Sequence, residues 1–216
     1  KREEADILFT TSLRDLFIII PAALIAITFH EMSHGWAAYA LGDKTAYNAG
    51  RLTLNPLDHI DPIGFLCILV AGVGWAKPVP INPFYFKKRK QGIALTALAG
   101  PAANILLCFF CFFVAYGILF FSTNRILEAV AQFLIVTASI SAGLAVFNLI
   151  PVPPLDGSKI LYPLLPNRVL AKIMPYEGTI RLVLLVVVFL GALELADYRD
   201  ERPYFYSSQI EKIKSV

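Results

Sequence analysis

The chain has 216 residues, of which 57% are hydrophobic and 16% charged, with a mean hydropathy of +0.64 and a net charge of +3. That composition is too apolar for an ordinary soluble domain, and the mild charge excludes a basic nucleic-acid surface. The three cysteines, Cys67, Cys108 and Cys111, lie in apolar segments, which predicts small buried hydrophobes instead of a disulfide framework or a cysteine zinc site.

A membrane-spanning helix needs about 20 mostly apolar residues. The first such segment covers residues 13–41, and Pro21 should bend it or mark its first turn. The charged opening, Lys1 to Asp6, leads into this segment without the pattern of a cleavable signal peptide. Inside the span stand His30-Glu31-Met32-Ser33-His34, with Thr28 the only polar side chain between Leu16 and Phe29. At a rise of about 1.5 Å per residue, His30 lies roughly 20 Å along the helix from Leu16, well below one membrane surface. Ionisable groups at such depth are costly and mark function. On a helix, positions i and i+4 share a face, so His30 and His34 can hold one metal with Glu31 nearby.

Residues 45–75 are of another kind. Thr45 to Ile60 is half polar and rich in Gly, Asn and Pro. Gly50-Arg51-Leu52-Thr53-Leu54 alternates like a strand and Asn55-Pro56 ends it, predicting a small β-hairpin. Pro62 to Trp75 is apolar but too short to cross, which suggests a re-entrant or membrane-lying piece. His59 and Asp61 tempt as metal ligands, but their Pro-bounded setting points to turn or capping roles. Trp75, Phe84, Tyr85 and Phe86 precede Lys87-Lys88-Arg89-Lys90, the mark of a cytoplasmic interface.

Residues 93–121 and 129–150 form two further spans free of charge, and 179–196 forms a weaker fourth with Arg181 and Glu194 at its ends. With the loops 42–91 and 155–178 inside, Lys and Arg number 11 inside and 8 outside, counting Arg181 inside. The polar residues 197–216 read as a tail beyond one membrane domain, residues 1–196. The expected fold class is thus an all-α polytopic membrane protein. It has about four transmembrane helices plus a small β-hairpin or re-entrant region between the first two.

Zinc hydrolases offer three protein ligands and keep a fourth place for water. The best third ligand is Asp156, where Pro151, Pro153 and Pro154 unwind the end of the third span and Gly157 permits a turn. Irregular backbone at membrane depth belongs where it lines a cavity or is buried in protein. Glu31 is then the general base. Asn148 and Asn104 could hold substrate backbone or an oxyanion, or could instead be interhelical glue. An extended substrate could pair with the Gly50 to Leu54 edge.

These residues resemble the site-2 proteases, which are intramembrane zinc metalloproteases. The matching motifs are Phe29 to Gly35, Gly50 to Pro56, His59 to Gly64, Gly74 to Pro80, Ala99-Gly100-Pro101 through Asn104, and Asn148 through Gly157. The resemblance implies zinc on His30, His34 and Asp156, Glu31 as catalytic base, and Asn148 positioning substrate. Asn104 carries over less directly. It implies a transmembrane protein in the lipid bilayer as substrate, while the Lys87 to Lys90 cluster puts the active site toward the cytoplasmic side of a cell membrane. The type is the short one, without an inserted peptide-binding or nucleotide-binding domain. The competing class is a zinc-binding membrane protein that does not cut, either a transporter or a chaperone-like relative. No paired broken repeats favour the transporter, and Glu31 is present.

Overall fold

Three long helices frame the molecule: α1 (Leu13–Ala40), α4 (Arg89–Phe121) and α5 (Arg125–Leu149). Between α1 and α4 lie the short α2 (Thr45–Asn48) and α3 (Pro62–Ala71); after α5 come α6 (Asp156–Ile160), α7 (Asn167–Ile173) and α8 (Glu177–Asp200). The computed structural model describes residues 13–71, 75–122 and 124–200. Helix α4 packs on both α1 and α5, and α1 also touches α5.

The bundle is packed through small residues. Ala22, Ala26 and Ala38 of α1, Ala97 and Ala115 of α4, and Ala131, Ala138 and Ala145 of α5 are buried. Most large side chains of α4 other than Leu107 face outward, Phe113 and Phe121 more than 80% exposed. This is the arrangement expected in lipid, where burying large apolar groups between helices brings no hydrophobic gain and small residues allow close approach. Cys111 sits in the core beside Leu107 and Ala138, as its sequence setting predicts, whereas Cys67 and Cys108 are only partly buried.

Three helices among the described residues are long and apolar enough to cross a membrane: Phe17–Ala40, Arg89–Phe121 and Arg125–Asn148. These correspond to the first three expected spans, and Pro21 lies inside α1. The fourth expected span, 179–196, is helical within α8 but is not among the three. Its uninterrupted apolar run, Leu182 to Leu193, is about half of what a crossing needs. Residues 201–216 of the expected tail lie outside the described residues.

The expected β-hairpin over 45–75 is corrected. No strand forms among the described residues, and the one isolated bridge pairs Ile60 with Ala76 in antiparallel sense. The alternation in Gly50 to Leu54 serves side-chain anchoring instead of strand pairing. Arg51 is buried and donates from Nη2 to the Lys77 carbonyl at 2.7 Å. Leu52 packs so closely on Gly35 of α1 that a Cβ there would meet it at 2.5 Å. Helix α3, ten residues long, is too short to cross, as its sequence predicts.

Polar clamps hold this inter-helix region against α1. Asp43 is fully buried just past the end of α1. It accepts from Thr45 N at 2.9 Å and from Asn82 N at 2.6 Å, tying two distant loops together. His59, also buried, uses Nε2 with the Thr53 carbonyl at 2.9 Å, and Asp61 caps α3 by accepting from Ile63 and Gly64 N–H. Both residues take the turn and capping roles expected of them.

Candidate metal centre

The histidine pair lies in the middle of α1, where one helical turn puts both rings on the same face. His30 and His34 are buried, with ring centroids 4.6 Å apart and planes nearly perpendicular at 88°. Opposite them stands Asp156, the first residue of α6. Its Oδ2 is 3.1 Å from His30 Nε2 and 3.1 Å from His34 Nε2. One ligand atom from each of the three residues falls within 4.8 Å of the other two, so the trio could hold a single metal ion. Two imidazole nitrogens and one carboxylate oxygen are a fitting donor set for zinc that keeps a fourth place open.

Two glycines make this meeting of helices possible. Gly157 carries the chain from Asp156 back beneath α5, and a Cβ there would lie 2.3 Å from the Leu149 carbonyl oxygen. Gly100 of α4 faces the rings, and a Cβ on it would lie 2.5 Å from His34 Nε2 and 2.7 Å from His30 Cε1. Only a bare backbone lets α4 come this close.

The rings are also held from behind. His34 Nδ1 lies 2.7 Å from the Thr96 carbonyl oxygen, and His30 Nδ1 lies 3.3 Å from Asn104 Nδ2. Asp156 closes the site from the side opposite the rings, its Oδ2 shared between the two Nε2 atoms. Lys159, one turn on, adds a weaker contact to its Oδ1 at 3.9 Å.

Glu31 is half-buried next to the pair. The backbone N–H of Val79 donates to its Oε2 at 3.1 Å. Since Arg51 grips Lys77 two residues earlier, the inter-helix loop delivers this donor to the carboxylate. Val79 lies in the Gly74 to Pro80 motif, but neither its N–H nor the Thr96 carbonyl could be picked out as a contact from sequence, because main-chain groups leave no residue-type signature. Gly100 carried a usable hint, a glycine in an apolar helix directly before Pro101.

The two asparagines part company. Asn104 is fully buried and touches His30. Asn148 is half-buried near the end of α5, and its Nδ2 donates to the Leu144 carbonyl one turn earlier at 2.9 Å. That bond, within its own helix, is its side chain's hydrogen bond among the described residues; the structure does not bring Asn148 into the trio.

Comparison with known proteins adds independent information. Peptidase family M50 matches residues 18–193 of the chain. The chain is 41% identical over 187 residues to a Bacillus subtilis protein named "Putative zinc metalloprotease YwhC", covering 82% of this chain and 83% of that one. It is 30% identical over 202 residues to "Putative zinc metalloprotease Rip2" of Mycolicibacterium smegmatis, covering 88% and 73%. It is 32% identical over 152 residues to "Putative zinc metalloprotease MJ0611" of Methanocaldococcus jannaschii, covering 68% and 70%. No solved structure matches it.

Proposed function

Because this chain belongs to peptidase family M50, the site-2 proteases, and is an intramembrane zinc metalloprotease, we propose that His30, His34 and Asp156 hold its zinc and that Glu31 is its catalytic base. The observation that carries this assignment is the convergence of three buried donor groups from α1 and α6 beside a carboxylate whose second oxygen has no hydrogen-bond partner among the described residues.

A zinc ion, when bound, supplies Lewis acidity that lowers the pKa of water toward about 7 and polarises a carbonyl. The protein does the rest. Val79 N–H fixes Oε2 of Glu31, leaving Oε1 to take a proton from the attacking water. Glu31 then passes that proton to the leaving amine nitrogen as the peptide C–N bond breaks. The packed small residues around α1 keep bulk water from the site. Asn148 would hold substrate backbone only after releasing the Leu144 carbonyl.

The substrate class we propose is the transmembrane segment of another protein, unwound near the break between α5 and α6. We also take residues 179–196 of α8 as a fourth crossing, the short apolar run reaching across because Arg181 and Glu194 sit at the interfaces, with Lys87 to Lys90 on the cytoplasmic side of a cell membrane and the active site toward that side. The domain then spans 1–196.

The test is cleavage of a panel of transmembrane substrates by detergent-solubilised protein, with zinc content measured in the same samples. Glu31→Gln should lower turnover about 100- to 10,000-fold, the range expected for a general base, with zinc retained. Equal cutting by both proteins would remove Glu31 from the mechanism. A wild type that holds zinc but cuts nothing on the panel would favour a non-proteolytic protein.

A further inference from the structure

We infer that Asn104 is a positioning residue for His30: it accepts the ring's Nδ1–H on Oδ1 and so holds Nε2 toward the metal. This rests on the metal reading above.

At His34 the geometry leaves no choice of tautomer. Its Nδ1 faces the Thr96 carbonyl at 2.7 Å, and a carbonyl can only accept. The proton of that ring is on Nδ1, and Nε2 is turned to Asp156. His30 presents Nε2 to the same Asp156 oxygen at the same 3.1 Å. To offer a lone pair there, its neutral ring must likewise carry its proton on Nδ1. The group at Nδ1 of His30 is the Asn104 side chain, with Nδ2 at 3.3 Å. That pose suits the other tautomer, in which Nε2–H donates to Asp156 and Nδ1 accepts.

The amide is the side chain that can serve both tautomers. A half-turn about its Cβ–Cγ bond exchanges Nδ2 and Oδ1 with almost no change in shape. Oδ1 is buried without a hydrogen-bond partner in the observed pose. After the half-turn it accepts Nδ1–H, completing for His30 what Thr96 does for His34. Asn104 has no solvent exposure, which leaves it no room to reach a substrate. Residues that hold the second nitrogen of a ligating histidine are typically worth about 10- to 100-fold in metal affinity.

The experiment uses the full chain in detergent and zinc alone, with competition against a chelator. Asn104→Leu keeps the volume but removes the acceptor, and its zinc affinity should fall about 10- to 100-fold. Asn104→Asp accepts but cannot donate, and it should bind zinc about as tightly as wild type. Unchanged affinity in Asn104→Leu overturns the inference, and so does an Asn104→Asp as weak as the leucine variant. Nitrogen-15 histidine spectra of zinc-loaded wild type give a readout that needs no variant. His30 should show a protonated Nδ1, and a proton on Nε2 would refute the assignment. If wild type itself binds no zinc, the metal reading fails instead.

Discussion

The helix bundle and the loop region between α1 and α4 solve the same problem by opposite means. In the bundle, α1, α4 and α5 meet through alanines, glycines and hydroxyl residues, and the large side chains face away. Between residues 41 and 88, few large side chains are buried, and order comes from polar anchors: Asp43, Arg51, His59, and the side-chain caps Asn55 and Asn82. The difference teaches that the bundle sets where the ligands stand, while the loop sets which main-chain donor reaches Glu31. Shape decides the first; individual hydrogen bonds decide the second.

The sharpest way to break the bundle side is Gly100→Ala. One methyl group would stand 2.5 Å from His34 Nε2, so either α4 or the ring must move. Displacing a reacting group by about 1 Å can cost about 100-fold in rate. We expect a loss of that order in turnover, with weakened zinc retention measured by chelator competition. Turnover within twofold of wild type would show that α4 does not set the ligand geometry.

On the loop side, Asp43→Asn removes one acceptor from a fully buried carboxylate and leaves a backbone N–H of Thr45 or Asn82 without its partner. A buried donor left unpaired costs about 1–3 kcal/mol. The loss should be local: faster proteolytic nicking between residues 43 and 88 and slower turnover, with zinc still bound. Nicking at the wild-type rate would remove Asp43 as the clamp.

The same contrast explains what could be read from residues alone. His30, Glu31, His34 and Asp156 stand out because ionisable groups in an apolar span have few explanations besides function. The second and third spans stand out because no charge interrupts residues 93–121 or 129–150. The strand over Gly50 to Leu54 was misread for a definite reason. Period-two alternation records only that successive side chains point to opposite sides, and here Arg51 seeks a carbonyl while Leu52 seeks a glycine on α1. By residue type alone Asn148 and Asn104 are equivalent, each an asparagine in an apolar helix. Their separation depends on rotation about the helix axis, which turns Asn104 to His30 and Asn148 to its own backbone.

Two substitutions in the bundle measure how far outward size matters less than inward size. Ala138 is buried against Leu107 and Cys111, and Ala138→Leu adds three carbons where α4 and α5 touch. Overpacking of this kind costs about 1–3 kcal/mol, seen as a lower melting temperature in detergent. Phe113, 81% exposed on α4, is the complementary site. In a soluble protein, removing a well-packed phenylalanine costs about 3–5 kcal/mol. Here the ring has few protein neighbours to lose among the described residues, and lipid or detergent chains replace it at little cost. Phe113→Ala should therefore change stability by no more than about 0.5 kcal/mol, the usual range for surface substitutions. A Phe113→Ala loss matching that of Ala138→Leu would mean the outer face of α4 is packed against protein, and the bundle would need another helix or a second copy on that side.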